Sequence, residues 1–398
     1  MSEDDVGRPR SWLGFLLLWW AGVDLRLTIL AVPPVLPLIH RDLALDEKSV
    51  AALTGLPVLL FGLLAIPGSL LIARLGARRA AIVGLLAVAI ASGLRGVGPS
   101  VPILFATTFV MGAGVSVIQP ALPALVSQWF PAATALATAV YANGLLIGEA
   151  LSASLTIPLV LPLVGGDWGL SFAVWAVPVL ATALAMIGAT PHVPPRAGRA
   201  MARWWPDWRD ARTWRLGLLQ GGGSTLYFAC NAFTPDYLHA TGRPELVNAC
   251  LTALNTGQLP ASFIILAFAR QLSGRRWPLL VAGLGGLIGL SGLLLPLPWT
   301  SIIGAGLVGS CAAFVLILTL ALPPLLTEPS DVHRLSAGML AIGYTLTFLV
   351  PFLGGAVWDA VGVPASAYLP AALGALVIIA MGLALRPGDS RAAGTEPG

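Results

Sequence analysis

The chain has 398 residues, of which 57% are hydrophobic and 10% charged, where an average soluble domain carries charge on about 25% of its residues. So few charges cannot cover a water-facing surface, which excludes an ordinary soluble globular protein. The formal net charge of +4 does not point to nucleic acid, because the basic residues are dispersed between apolar runs and form no single patch.

A spanning helix needs about 20 apolar residues. Apolar runs between breakers predict an all-α membrane protein with twelve transmembrane helices in two pseudo-symmetric six-helix bundles. In chain order, residues 1–11 form a polar tail, and helices are expected at 12–38, 49–73, 79–97, 100–126, 134–160 and 168–190. A polar linker at 191–213 contains Pro194, Pro195 and the tryptophans Trp204, Trp205 and Trp208, whose amphipathic rings suit a membrane interface. Six further helices follow at 214–239, 245–269, 277–296, 299–326, 335–358 and 363–386, then a tail at 387–398. The two bundles are thus residues 12–190 and 214–386. Placing the N-terminus inside puts 17 of the 22 basic residues on the same side, among them Arg74, Arg78, Arg79, Arg275 and Arg276. This positive-inside bias predicts that both termini are cytoplasmic.

Weak repeats occur at corresponding places in the two bundles. Pro67-Gly68-Ser69 in the second helix matches Pro260-Ala261-Ser262 in the eighth. Likewise Leu122-Pro123-Ala124-Leu125 ends the fourth and Leu322-Pro323-Pro324-Leu325 the tenth. Internal symmetry of this kind is typical of secondary transporters, whose sites lie near the bilayer midplane between repeats.

The segment Gly68-Ser69-Leu70-Leu71-Ile72-Ala73-Arg74-Leu75-Gly76-Ala77-Arg78-Arg79 resembles the cytoplasmic loop motif of the major facilitator superfamily, with Ala73 standing where the motif carries an acid. Four other stretches resemble the cyanate and nitroimidazole permease branch: Asp24-Leu25-Arg26, where the branch usually has Asn for Asp24; Leu94-Arg95; Leu122-Pro123-Ala124-Leu125 with Trp129-Phe130-Pro131; and Arg334-Leu335-Ser336-Ala337-Gly338-Met339 leading to Gly343-Tyr344. The resemblance implies the major facilitator fold and a bacterial inner-membrane transporter of cyanate-like anions or nitroaromatic compounds.

Ionisable groups within a bilayer are costly and mark a pathway or a buried pair. Asp24, Arg26, Arg95 and Glu149 are the candidates, and at 1.5 Å per residue all four fall about 18–24 Å from the cytoplasmic ends of their helices. They are expected to form one charge or coupling network of zero net charge. Two readings stay open: a neutralised structural cluster, or Arg26 as the anion-binding group with Glu149 or Asp24 competing for it and carrying a coupling proton. Arginine suits an anion because its charge persists at any pH and its fork is planar. A neutral polar lining is expected from Gln119, Tyr141 and Asn143 in the first bundle and Tyr227, Asn231, Gln258 and Tyr344 in the second.

The four histidines and three cysteines are scattered, so neither a metal site nor a cofactor is expected, and no catalytic constellation marks an enzyme. Gly221-Gly222-Gly223 is followed by no Lys-Ser or Lys-Thr, and ATP-driven transport is not expected. The expected protein is a monomeric secondary transporter whose partners are a small anionic or weakly acidic solute, the lipid bilayer and coupling protons. The alternative is a proton-coupled exporter of hydrophobic drugs.

Overall fold

A computed structural model describes residues 11–45, 47–96, 100–189 and 203–384. The expected tails apart from Ser11, most of the expected linker, and with them Arg8, Arg10, Arg196, Arg199, Arg386 and Arg391, lie outside the described residues. The described residues are helical with no strand. They divide into two compact units, Met1–Pro206 with Pro329–Ala337, and Asp207–Glu328 with Gly338–Gly398.

The first unit contains α1 (Ser11–Leu27), α2 (Val32–Leu43), α3 (Glu47–Leu63), α4 (Ala65–Leu75), α5 (Ala77–Leu94), α6 (Val101–Trp129), α7 (Thr134–Leu155), the single turn α8 (Leu161–Leu163) and α9 (Trp168–Ala189). α1 and α2 together make one candidate span, Trp12–Leu43, interrupted by a turn at residues 28–31. It runs five residues past the expected end at 38. The second span is bent by 52° between α3 and α4. Pro67 causes this, because it lacks an N–H to give to the carbonyl of Leu63 and its ring crowds that carbonyl. Between α4 and α5 the chain turns on Gly76 alone, at φ 82° and ψ 156°, a conformation essentially restricted to glycine.

The second unit contains α10 (Ala211–Ala240), α11 (Val247–Thr256), α12 (Gln258–Leu272), α13 (Trp277–Leu294), α14 (Pro298–Leu326), α15 (Val332–Val361, from Gly338 onward) and α16 (Leu369–Ala384). Its α11 and α12 part at Gly257, three residues before Pro260, just as α3 and α4 part at Leu64, three residues before Pro67. The two prolines matched in the sequence therefore break their helices at the same register.

Among the described residues, ten helices are long and apolar enough to cross a membrane, or eleven if the bent α3–α4 pair counts as one. α10 is not among them. Its 30 residues reach about 45 Å, but Arg212, Arg215, Gln220, Asp236 and three consecutive glycines lower its apolarity. Large apolar side chains such as Leu163, Ile288, Trp299 and Ile303 are exposed on these helices. That surface suits lipid, where intrahelical bonds satisfy the backbone and apolar side chains face outward.

Candidate functional site

The charged residues of the first unit are positioned by the contact between α1 and α7. A Cβ added to Gly22 would strike the backbone of Tyr141, one at Gly144 that of Trp19, and one at Gly148 that of Val23. These contacts run in parallel register, 19 against 144 and 23 against 148, and the small-xxx-small spacing of Gly144 and Gly148 is what lets the two backbones touch. Asp24 and Glu149 each follow a member of the Val23–Gly148 pair, so they share a level, with Arg26 two residues beyond, about 3 Å along the axis.

Arg26 is 7% exposed and lies over the Phe61 ring, with its guanidinium carbon 5.8 Å from the centroid. The buried Gln119 and Tyr141 belong to the same unit. Asn143 is also buried, and its side-chain carbonyl accepts a hydrogen bond from Trp19 Nε1 at 3.0 Å. That bond fastens α7 to α1 and occupies one lone pair of Asn143. Glu149 is half-buried.

Asp24 is fully buried, and neither carboxylate oxygen has a hydrogen-bond partner among the described residues. Its polar neighbour is Thr182 of α9, whose hydroxyl donates to the Pro178 carbonyl at 3.1 Å. Arg95 meets α9 elsewhere, with its guanidinium carbon 5.1 Å from the Phe172 centroid. The ten residues from Phe172 to Thr182 span about 15 Å of helix. Asp24, Arg26 and Glu149 therefore share a layer while Arg95 sits apart from it. The structure forms no ion pair for Asp24 or Arg95 among the described residues, and so does not draw the four groups into one bonded network. The residue that does bond Arg95 is Thr108, which accepts from Nη2. Thr107-Thr108 was the readable trace of it, a polar doublet in an apolar helix.

In the second unit, Tyr227 donates to Asn255 Oδ1 at 2.5 Å, and Asn255 Nδ2 donates to the Leu251 carbonyl at 2.8 Å. This ties α10 to α11. Gln258 and Tyr344 are buried and Asn231 is half-buried. The structure thus gives Tyr227 a helix-bridging role, and Gln258 opens α12 at the Gly257 break.

The loop motif also has a visible task. Arg78 Nη2 donates to the carbonyls of Met186 and Ile187, at 2.9 and 3.0 Å. These belong to the last turn of α9, where bare carbonyls and the helix dipole favour a cation. Arg334, from the other motif, pairs with Asp331 at 3.4 Å.

The Major Facilitator Superfamily family matches residues 15–243, more than half of the chain. The chain belongs to this superfamily. As a member, it is a multi-pass membrane transporter and not an enzyme. It is 28% identical over 346 residues to the cyanate transport protein CynX of Escherichia coli strain K12, covering 85% of this chain and 88% of that protein. It is 27% identical over 349 residues to the 2-nitroimidazole transporter of the same organism, covering 85% and 86%. Among solved structures, the superfamily transporter FucP in its outward conformation matches with a TM-score of 0.70 at 17% identity, covering 95% of this chain and 100% of FucP. At that identity the match speaks for the fold alone.

Proposed function

We propose that this superfamily member moves a small monovalent anion or weakly acidic organic solute, of the cyanate or nitroaromatic class, across the bacterial inner membrane by alternating access. The observation that carries this reading is Arg26, a permanent positive charge buried in the first span, at the level that the α1–α7 contact gives to Asp24 and Glu149. One fixed cation at the level of two carboxylates that can each take up a proton, with an otherwise neutral polar lining proposed around it, favours a solute with one negative charge. The names of the two relatives, one a cyanate and one a nitroimidazole transporter, agree with that class.

In this proposal Arg26 is the anion-binding group, and Gln119, Tyr141, Asn143, Tyr227, Asn231, Gln258 and Tyr344 enter as candidate solute contacts. Asp24 and Glu149 are the candidates for a coupling proton. The proposal also includes twelve spans, cytoplasmic termini and a monomeric transporter.

The test is uptake into proteoliposomes of a panel containing cyanate, thiocyanate, formate and 2-nitroimidazole, with and without a pH gradient, in the wild type and in Arg26→Gln. Saturable uptake of at least one member that collapses in Arg26→Gln supports the proposal. Uptake unchanged in Arg26→Gln at equal incorporation removes Arg26 from the site. Efflux of many hydrophobic compounds that survives this substitution establishes the drug-exporter reading in its place.

A further inference from the structure

Arg95 is a buried cation of the first unit, without a paired carboxylate among the described residues, that the proposed solute site does not use. It is 1% exposed. One face of its guanidinium lies on Phe172, and Nη2 donates to the hydroxyl of Thr108. That hydroxyl spends its own proton on the Leu104 carbonyl at 2.7 Å. Nε and Nη1, which between them carry three of the five guanidinium N–H donors, have no hydrogen-bond partner among the described residues. No carboxylate of the described residues pairs with Arg95.

Arg95 and Thr108 line a pocket of about 50 Å³ walled by the interrupted first span at Ile29 and Pro33, by Pro57 of α3 and by Met111 of α6. A single water needs roughly 10–15 Å³ of such space, so the pocket admits more than one water and no large organic molecule. Water could satisfy the N–H donors but would leave the positive charge standing among apolar walls. Attraction between charges grows as the surroundings become less polar, and a buried arginine is retained where something compensates it. One negative charge balances this site, whereas a divalent ion would reverse its imbalance.

We infer that Arg95 holds a small monovalent inorganic anion in this pocket, between a halide and a linear triatomic ion in size, at a site separate from Arg26. The inference goes beyond the proposed solute site and stands without it. The bound ion is either ambient chloride acting as a fixed counter-ion or the transported solute itself, and the same chemistry binds both.

Thermal unfolding of the purified full-length protein, followed by tryptophan fluorescence, tests this. The base buffer contains sodium gluconate, with chloride, bromide, thiocyanate or cyanate substituted at constant ionic strength. The expected result is a midpoint raised by roughly 5–10 °C at a hundredfold excess over Kd. The rise is retained in Arg26→Gln and abolished in Arg95→Gln. A wild type indifferent to these anions overturns the inference, as does a rise that survives Arg95→Gln or disappears in Arg26→Gln. Should Arg95→Gln fail to fold, wild-type crystals grown in bromide decide the matter. An anomalous peak within hydrogen-bond reach of Nε and Nη1 supports the site, and its absence there, with water alone, refutes it. Chloride that competes with labelled cyanate for uptake identifies the ion as solute, and chloride that raises the midpoint without competing identifies a fixed counter-ion.

Discussion

Replacing Gly148 by valine tests the contact on which the position of the charged layer depends. A Cβ at this position would lie 2.9 Å from both the carbonyl carbon and the Cα of Val23, where carbon atoms at rest stay about 3.5–4.0 Å apart. The carbonyl oxygen of Val23 is nearer still, so α1 and α7 would have to separate by roughly 1 Å or more at the residue preceding Asp24, and the two valine methyl groups add to this. Overpacking of this kind costs about 1–3 kcal/mol. At roughly 2–4 °C per kcal/mol for a unit of this size, the unfolding midpoint should fall by several degrees. A displacement near 1 Å in a binding constellation is also worth about 100-fold in function, so uptake should fall further than the loss of folded protein explains. The matched control is Gly188→Val in α9, where an added Cβ meets nothing within 4 Å, and which should change the midpoint by no more than about 0.5 kcal/mol equivalent, as a surface substitution does. Both quantities are measured on purified protein, by a thermal melt and by uptake into proteoliposomes. A Gly148→Val protein as stable and as active as Gly188→Val would refute the packing argument.

Gly76→Ala places a side chain at φ 82° and ψ 156°, and the strain, about 1–3 kcal/mol, should lower the melting midpoint although no atom lies within 4 Å of the new Cβ. Arg78→Gln removes the cation that caps the last turn of α9. It should cost roughly 1.5–3 kcal/mol and increase hydrogen exchange at Met186 to Ala189 before any other part of α9. Asp24→Asn replaces a fully buried carboxyl with a group of the same shape that holds no proton to exchange. The variant should fold with an unchanged or raised midpoint, while uptake loses its acceleration by an inward proton gradient; acceleration equal to that of the wild type would remove Asp24 from the coupling path.

Much of the fold could be read from the sequence because the signals were local. Apolar runs located the helices to within a few residues, and Pro67 and Pro260 marked the breaks at Leu64 and Gly257. Gly76 was legible as a turn within the loop motif, but the attachment of Arg78 to α9 joins residues 108 and 109 positions apart and leaves no local trace. The charged layer was legible only in part. Counting 1.5 Å per residue from each helix start treats all helices as straight and as beginning in one plane. Arg95, counted from the start of α5, falls at the level of Phe172, and Asp24, counted from the start of α1, at that of Thr182, so the two helices are not measured from one plane. Polarity is what marks Asn143 and Tyr227 in the sequence, and polarity alone does not distinguish a solute contact from the interhelical hydrogen bonds they make to Trp19 and Asn255. The Thr107-Thr108 doublet is only a faint signal, because a threonine in an apolar helix can satisfy itself on its own backbone, as the Thr108 bond to Leu104 does.

The central claim is that Arg26 binds the transported anion. Its most direct test is the initial rate of labelled cyanate uptake into proteoliposomes containing wild-type protein, Arg26→Gln or Arg26→Lys at matched incorporation. Loss of a charge-assisted interaction worth about 1.5–3 kcal/mol predicts a 10- to 100-fold fall in uptake efficiency for Arg26→Gln, with partial recovery in Arg26→Lys, which keeps the charge but not the fork. Saturable uptake with the same efficiency in all three proteins would contradict the account.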